Sequence, residues 1–155
     1  MDQDRCRAIG VSDIGVAALQ PLYEAARIKP AVVQVESHPY LPETELLEFC
    51  TAREIVFLAF APLGHGIRPG PLEDPVILNI AARVGQTPAQ VLLAWAAQRG
   101  AALLTTPRTA ARAHENFAIR PLPDEEFEEI NRIRIRQRFN DVVRTGSPGF
   151  IPKGR

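Results

Sequence analysis

Short apolar runs alternate with helical stretches along this chain, and within the runs the apolar residues are nearly continuous. Residues 7–11 (RAIGV), 31–36 (AVVQVE), 55–61 (IVFLAFA) and 102–106 (ALLTT) are the four runs. Their length and their Val, Ile and Leu content predict parallel strands covered on both faces. A helical pattern over 17–28 follows the first; Pro21 lacks a backbone donor and predicts a delayed or bent helix there. The next helix is predicted over 43–53, with Leu46, Leu47, Phe49 and Cys50 toward one side. After the third run come a Gly/Pro-rich loop (64–71), a helix over 74–84 stopped by Gly85, and a helix over 91–99. Thr87-Pro88-Ala89-Gln90 opens that last helix, with Thr87 placed to cap, Pro88 suited to the first turn and Gly100 to stop it. Further helices are predicted over 109–116 and 124–136, and the segment from Thr145 (TGSPGFIPKGR) reads as irregular.

Strands and helices in this alternation predict an α/β fold with a parallel sheet and right-handed crossovers. Strand starts near 7, 31 and 55 repeat at about the length of one βα unit. Two architectures accommodate that order, a doubly wound sheet and a (β/α)8 barrel. A doubly wound dinucleotide fold calls for a glycine fingerprint after its first strand. The stretch from Gly10 to Gly15 lacks it, and Gly64-His65-Gly66 has the wrong spacing, with Pro69 where a helix would open. The barrel requires eight strands, and the pattern gives four.

Composition narrows the field of partners. The 155 residues carry 18 basic and 18 acidic side chains, which argues against a broad electrostatic partner such as nucleic acid or an anionic membrane. The longest apolar run is half the length of a membrane helix. The polar start MDQDRC lacks the apolar core of a signal peptide. Two cysteines, Cys6 and Cys50, form neither a disulfide framework nor a metal pair, so a reduced, cytoplasmic setting is expected.

In parallel α/β folds the chemistry gathers at the carboxyl ends of the strands. Those positions hold Ser12 and Asp13, then Gln34, Glu36 and His38, then the run from Phe60 to Gly64, and last Thr106-Pro107-Arg108-Thr109. The last is the most informative: an arginine and a hydroxyl stand where a helix begins, so they and the free helix amides can converge on a phosphate. Arg112, Glu115 and Asn116 follow at helical spacing, and a planar cation beside an amide and a carboxylate suits an adenine ring. On residue types alone, a solvated loop arginine followed by a surface Arg112–Glu115 pair fits equally well.

RAIGVSD, KPAVVQVESHPYL, LLEFC, IVFLAFAPLG, LEDPVILNIAARVGQTPAQVLLAWAAQRG and TTPRTAARAHENF, in that order, resemble the C-terminal half of an aldo-keto reductase. The resemblance implies a partial (β/α)8 TIM barrel, strands five to eight with their helices plus a C-terminal helix and tail. It implies a single incomplete domain over 1–155, irregular from 137, either as a truncated gene product or as a gene-model fragment whose first half lies upstream. It further implies NADPH or NADP as cofactor. By motif, Ser12 and Asp13 match the pair that holds the nicotinamide carboxamide, with Asp13 in place of the usual Asn. Gln34 matches a third carboxamide contact. Phe60 stands where a tyrosine commonly stacks on the nicotinamide and Ala61 replaces a common serine. Leu63 and Gly64 belong to the loop beside the pyrophosphate. Arg108 and Thr109 match the residues that grip the 2′-phosphate, with Arg112, Glu115 and Asn116 at the adenine.

The family's hydride transfer uses a tyrosine proton donor tuned by a lysine and an aspartate, with a histidine orienting the carbonyl. The resemblance places all four in the first four strands, outside this chain. Local substitutes are few. Tyr23 falls inside a helix, Tyr40 and His38 share a His-Pro-Tyr turn read as packing, Lys29 precedes Pro30, and Lys153 lies near the end. No catalytic residue is therefore assigned. Ser12 misses a nucleophile elbow by one residue, and the histidines and cysteines lack zinc spacing. Arg132, Arg134, Arg136 and Arg138 read as the basic end of a helix that opens with acids, complementing its dipole. Trp95 reads as core.

The expected function is carbonyl reduction with NADP(H), of which this chain carries the cofactor-binding half, inactive alone; a small carbonyl substrate requires the other half. The alternative is a non-catalytic nucleotide-binding or interaction module. Open strand edges at both sides of the sheet predict self-association or pairing with another chain.

Overall fold

The computed structural model describes residues 6–140. Strands β1 (Gly10–Ser12), β2 (Val32–Glu36), β3 (Val56–Phe60) and β4 (Ala102–Leu104) form one parallel sheet in the order β1-β2-β3-β4. Each strand is laid beside its predecessor, so these four contain no reversal of winding, the switch point at which a doubly wound sheet takes its ligand. Helices α1 (Val16–Ala25), α2 (Thr44–Thr51), α3 (Pro75–Val84), α4 (Pro88–Gln98), α5 (Ala110–Phe117) and α6 (Asp124–Asn131) complete the described chain.

The two faces of the sheet differ, and this corrects the expectation that both are covered. Val33, Val35, Phe57 and Ala59 pack with Leu19, Leu46, Phe49 and Cys50 against α1 and α2. Strand side chains alternate, so Val32, Gln34, Val56, Leu58 and Phe60 lie on the other face, where Val56 is exposed and the rest are half-buried. A second core joins Ile77 and Ile80 of α3, Val91, Leu92 and Trp95 of α4, and Ile130 of α6 to Tyr40.

Side-chain caps mark the starts of α3, α4 and α5. Asp74 accepts from Val76 N at 2.8 Å, with Pro75 in the first turn of α3. Thr87 and Gln90 exchange hydrogen bonds in a capping box that opens α4. The first helix begins at Val16 with Pro21 inside it, and stops at Ala25 rather than 28. Lys29 Nζ folds back onto the carbonyls of Tyr23 and Glu24, and the residue before Pro30 is held out of the helical region.

The largest departure is at the far end. The predicted helix over 124–136 stops at Asn131, and the chain runs without regular structure from Ile133 back to the carboxyl end of β2. Gln137 N donates to Tyr40 O at 2.9 Å, and Phe139 N and Asn140 N donate to Glu36 at 2.7 and 2.9 Å. The arginines from 134 onward therefore do not complement the α6 dipole. The text R-I-R-I-R has period two, which opposes a helix, and Ile133 is buried while Arg132 and Arg134 are exposed. The irregular segment from Thr145 lies outside the described residues.

Candidate functional site

Parallel pairing sets the predicted residues in rows across the carboxyl ends. Ser12 is the register partner of Gln34, Gln34 of Leu58, and Leu58 of Ala102. In the next row Glu36 pairs with Phe60 and Phe60 with Leu104. The amide of Gln34 and the ring of Phe60 thus rise from adjacent strands on the face that the helices leave uncovered.

The backbone immediately beyond two of these strands is left-handed. Asp13 has φ +51°, and its N–H donates to Gln34 O at 2.9 Å; Ala61 has φ +49°. For residues other than glycine such angles are uncommon and cost about 1 kcal/mol or more. Both sit at strand exits, where a turn re-aims the chain around a site. Gly64, with φ +76°, is buried, and a Cβ there would come within 2.6 Å of Pro71 Cδ. Leu63 packs half-buried against the second core.

Beyond β4, Arg108 and Arg112 are exposed, and among the described residues neither takes part in an ion pair. Thr109 caps α5: its oxygen accepts from Arg112 N at 3.3 Å, which leaves its hydroxyl proton free. Two uncommitted guanidiniums, one hydroxyl and the first amides of α5 make a donor-only surface, the chemistry a phosphate requires. Asn116 turns inward instead. Its Nδ2 donates to Thr105 Oγ1 at 3.2 Å, and it lines a cavity of about 210 Å³ with Leu93, Leu103 and Phe117. Glu115 is engaged elsewhere, accepting from Thr87 Oγ1 at 2.5 Å while its carbonyl accepts from Gln90 Nε2 at 3.1 Å. The structure therefore does not gather Arg112, Glu115 and Asn116 into one direct cluster. The carboxylate braces α5 against α4.

Tyr40 is not tuned as a proton donor. Tyr40 Oη donates to Asp74 Oδ2 at 2.7 Å, and burial first, then the Asp74 hydrogen bond and charge, push its pKa well above the ordinary phenol range. A donor needs the opposite shift. Lys29 Nζ lies 4.9 Å above the Tyr23 ring and bonds backbone carbonyls, just before the amino end of β2 and away from the strand exits. His38 is buried, with Nε2 2.9 Å from Glu36 Oε1 and its ring 4.9 Å from that of Phe139. The packing role read for the His-Pro-Tyr turn fits these contacts.

Glu36 is the residue whose part the sequence left unassigned. Fully buried, it accepts from His38 and from the N–H groups of Phe139 and Asn140. Burial raises its pKa, and those hydrogen bonds together with the His38 charge outweigh that, so the net shift is downward. A carboxylate at the end of an apolar run was the one signal available; nothing local names a partner a hundred residues away. Among the described residues no group of three His, Cys, Asp or Glu side chains could hold a metal, and no helix is long and apolar enough to cross a membrane.

Comparison with known proteins adds independent findings. The model of the Aldo/keto reductase family matches residues 3–135. The NAD(P)H-dependent D-xylose reductase of Scheffersomyces stipitis is 39% identical over 150 residues, which span 88% of this chain and 47% of that protein. The glycerol 2-dehydrogenase (NADP(+)) of Hypocrea jecorina is 41% identical over 132 residues, 82% of this chain and 42% of that protein. Among solved structures, the aldose reductase of Schistosoma japonicum superposes with a TM-score of 0.83 at 33% identity, covering 98% of this chain and 50% of that one. An aldo-keto reductase of the silkworm Bombyx mori in complex with NADPH gives 0.81 at 27% identity, covering 96% and 50%. The chain spans about half the length of the curated relatives it matches. With that family model matching most of its residues, the chain belongs to the aldo/keto reductase family.

Proposed function

We propose that this chain forms the cofactor-binding half of an NADP(H)-dependent reductase of small carbonyl compounds, with β1 to β4 in places five to eight of a (β/α)8 barrel. Residues 1–155 would then make one incomplete barrel domain, and the uncovered sheet face would line the barrel interior. Sequential winding with helices against one face supports that placement. The observation that carries the cofactor reading is the donor-only surface of Arg108, Thr109, Arg112 and the α5 amides directly beyond β4.

On this reading Arg108 and Thr109 hold the 2′-phosphate, Arg112 covers the adenine, and Asn116 reaches the adenine edge by exchanging its Thr105 bond. Glu115 acts through its brace on α4. Ser12, Asp13 and Gln34 fix the carboxamide, the Phe60 ring supports the nicotinamide face, and Ala61, Leu63 and Gly64 shape the pyrophosphate loop. Bound NADPH supplies the hydride. The chain's own residues orient the ring and exclude water from one face; the proton is assigned to groups outside residues 6–140, because Tyr40 is bonded to Asp74 and Tyr23 lies within α1, away from the strand exits. The relatives' names place sugars and polyols among their substrates, and a polar carbonyl compound is the class proposed here. Two free cysteines, one exposed, fit the cytoplasm.

Calorimetric titration tests this: the 155-residue chain binds NADPH saturably and more tightly than NADH, and oxidises no NADPH with an aldehyde above background. Turnover that Tyr40→Phe abolishes, or equal affinity for NADH, would overturn the reading.

A further inference from the structure

A second polar cavity lies away from the strand exits, between the start of α2, the end of α4 and the end of α6. Its volume is about 280 Å³, and Pro39, Thr44, Trp95, Arg99, Asn131 and Arg136 contribute to its wall. Among the described residues no carboxylate lines it. The Arg99 guanidinium lies 4.5 Å from the Trp95 ring centre, and its Nη2 donates to Thr44 Oγ1 at 3.3 Å. Among the described residues it makes no ion pair; Glu48 acts on it only through charge. Partial burial lowers its pKa to about 10, against the opposing charge of Glu48.

The remaining polar groups each make a bond within the protein and keep donors free. The Asn131 amide oxygen takes the Trp95 Nε1 proton at 2.9 Å, leaving its NH2 as a donor. Thr44 Oγ1 accepts from Arg99, leaving its proton to give. Arg136 Nη1 is anchored by the carbonyls of Ile133 and Ile135 at 2.8 and 2.7 Å, with its other nitrogens uncommitted. Thr44 opens α2, whose N-cap Glu43 supplies no side-chain cap. Two cations and two neutral groups thus border one space and keep donors free beyond the bonds they make within the protein.

We propose that this cavity binds a small oxyanion, a phosphate or a compact carboxylate, between Arg99 and Arg136. The site is separate from the surface at Arg108 and does not depend on how that surface is read.

Trp95 is the only tryptophan of the chain and stacks on Arg99, so its fluorescence reports occupancy. The full chain is titrated with inorganic phosphate and, in a second arm, with citrate, at constant ionic strength set by chloride. A saturable fluorescence change is expected with at least one, and the arm that saturates at lower concentration identifies the anion class. Arg136→Gln weakens it about tenfold, the loss expected for one charge-assisted hydrogen bond, while Arg99→Lys, which keeps the charge but not the fork, weakens it less. Arg108→Gln leaves it unchanged. Absence of a saturable change in both arms, or an Arg136→Gln chain that titrates like the parent, would overturn the proposal, as would a response that Arg108→Gln removes.

Discussion

Glu36 Oε1 accepts the backbone N–H of Phe139 at 2.7 Å, joining the carboxyl end of β2 to a residue 103 positions later. Asn140 N reaches the other carboxylate oxygen, and Arg138 lies 3.7 Å from it while bonding Glu43 at 2.8 Å. This buried carboxylate, together with Tyr40 O and Glu43, holds the segment after α6 across the strand exits. Its lowered pKa sets the sign of the pH response: the contribution is present above the unfolded carboxylate range and is lost as pH falls through the lower folded value. Urea midpoints therefore fall on acidification below about pH 4.5, and Glu36→Gln flattens that limb and costs about 2 kcal/mol near neutrality. An unchanged acid limb in the variant would refute the assignment.

Tyr40→Phe removes the hydrogen bond to buried Asp74 and lowers stability by about 1 kcal/mol, measured by urea denaturation. NADPH affinity stays as in the parent, because the phenol is occupied within the fold. Lost affinity without lost stability would mean that the turn contributes to the site.

Gly64→Ala places a Cβ 2.6 Å from Pro71 Cδ at φ +76°. Strain and crowding together cost about 2 kcal/mol by thermal or urea unfolding. Parental stability would show that the loop after β3 rearranges freely.

Among the described residues no strand pairs with the outer edges of β1 and β4, Val56 and Leu104 are exposed on the uncovered face, and Phe117 is 91% exposed. Light scattering at rising concentration is expected to show self-association. A monomer that stays monomeric at high concentration would contradict the open-edge account.

Much of this arrangement was legible in the residues. Continuous apolar runs gave all four strands, and Thr87-Pro88-Ala89-Gln90 and Thr109 marked helix starts that the capping bonds realise. Strand lengths were overestimated at 7–11 and 102–106, because apolar character extends beyond the three residues that pair in β1 and β4. The end of α6 falls short of 136 because acids at 124–129 followed by arginines read as one helix with a complemented dipole, whereas the Arg/Ile text has period two. Residue types suggested that Arg112, Glu115 and Asn116 act together; only the fold reveals that Thr87, 28 positions earlier, claims Glu115. Contacts across such separations leave no local signature.

The grip on a 2′-phosphorylated adenosine is the centre of this account, and it can be isolated from the rest of the cofactor. Calorimetry of the chain with 2′,5′-ADP and with 5′-ADP measures it. A preference of about tenfold or more for 2′,5′-ADP, abolished in Arg108→Ala, is expected from the loss of charge-assisted hydrogen bonds. Equal binding of the two nucleotides, or a preference that survives Arg108→Ala, would contradict it.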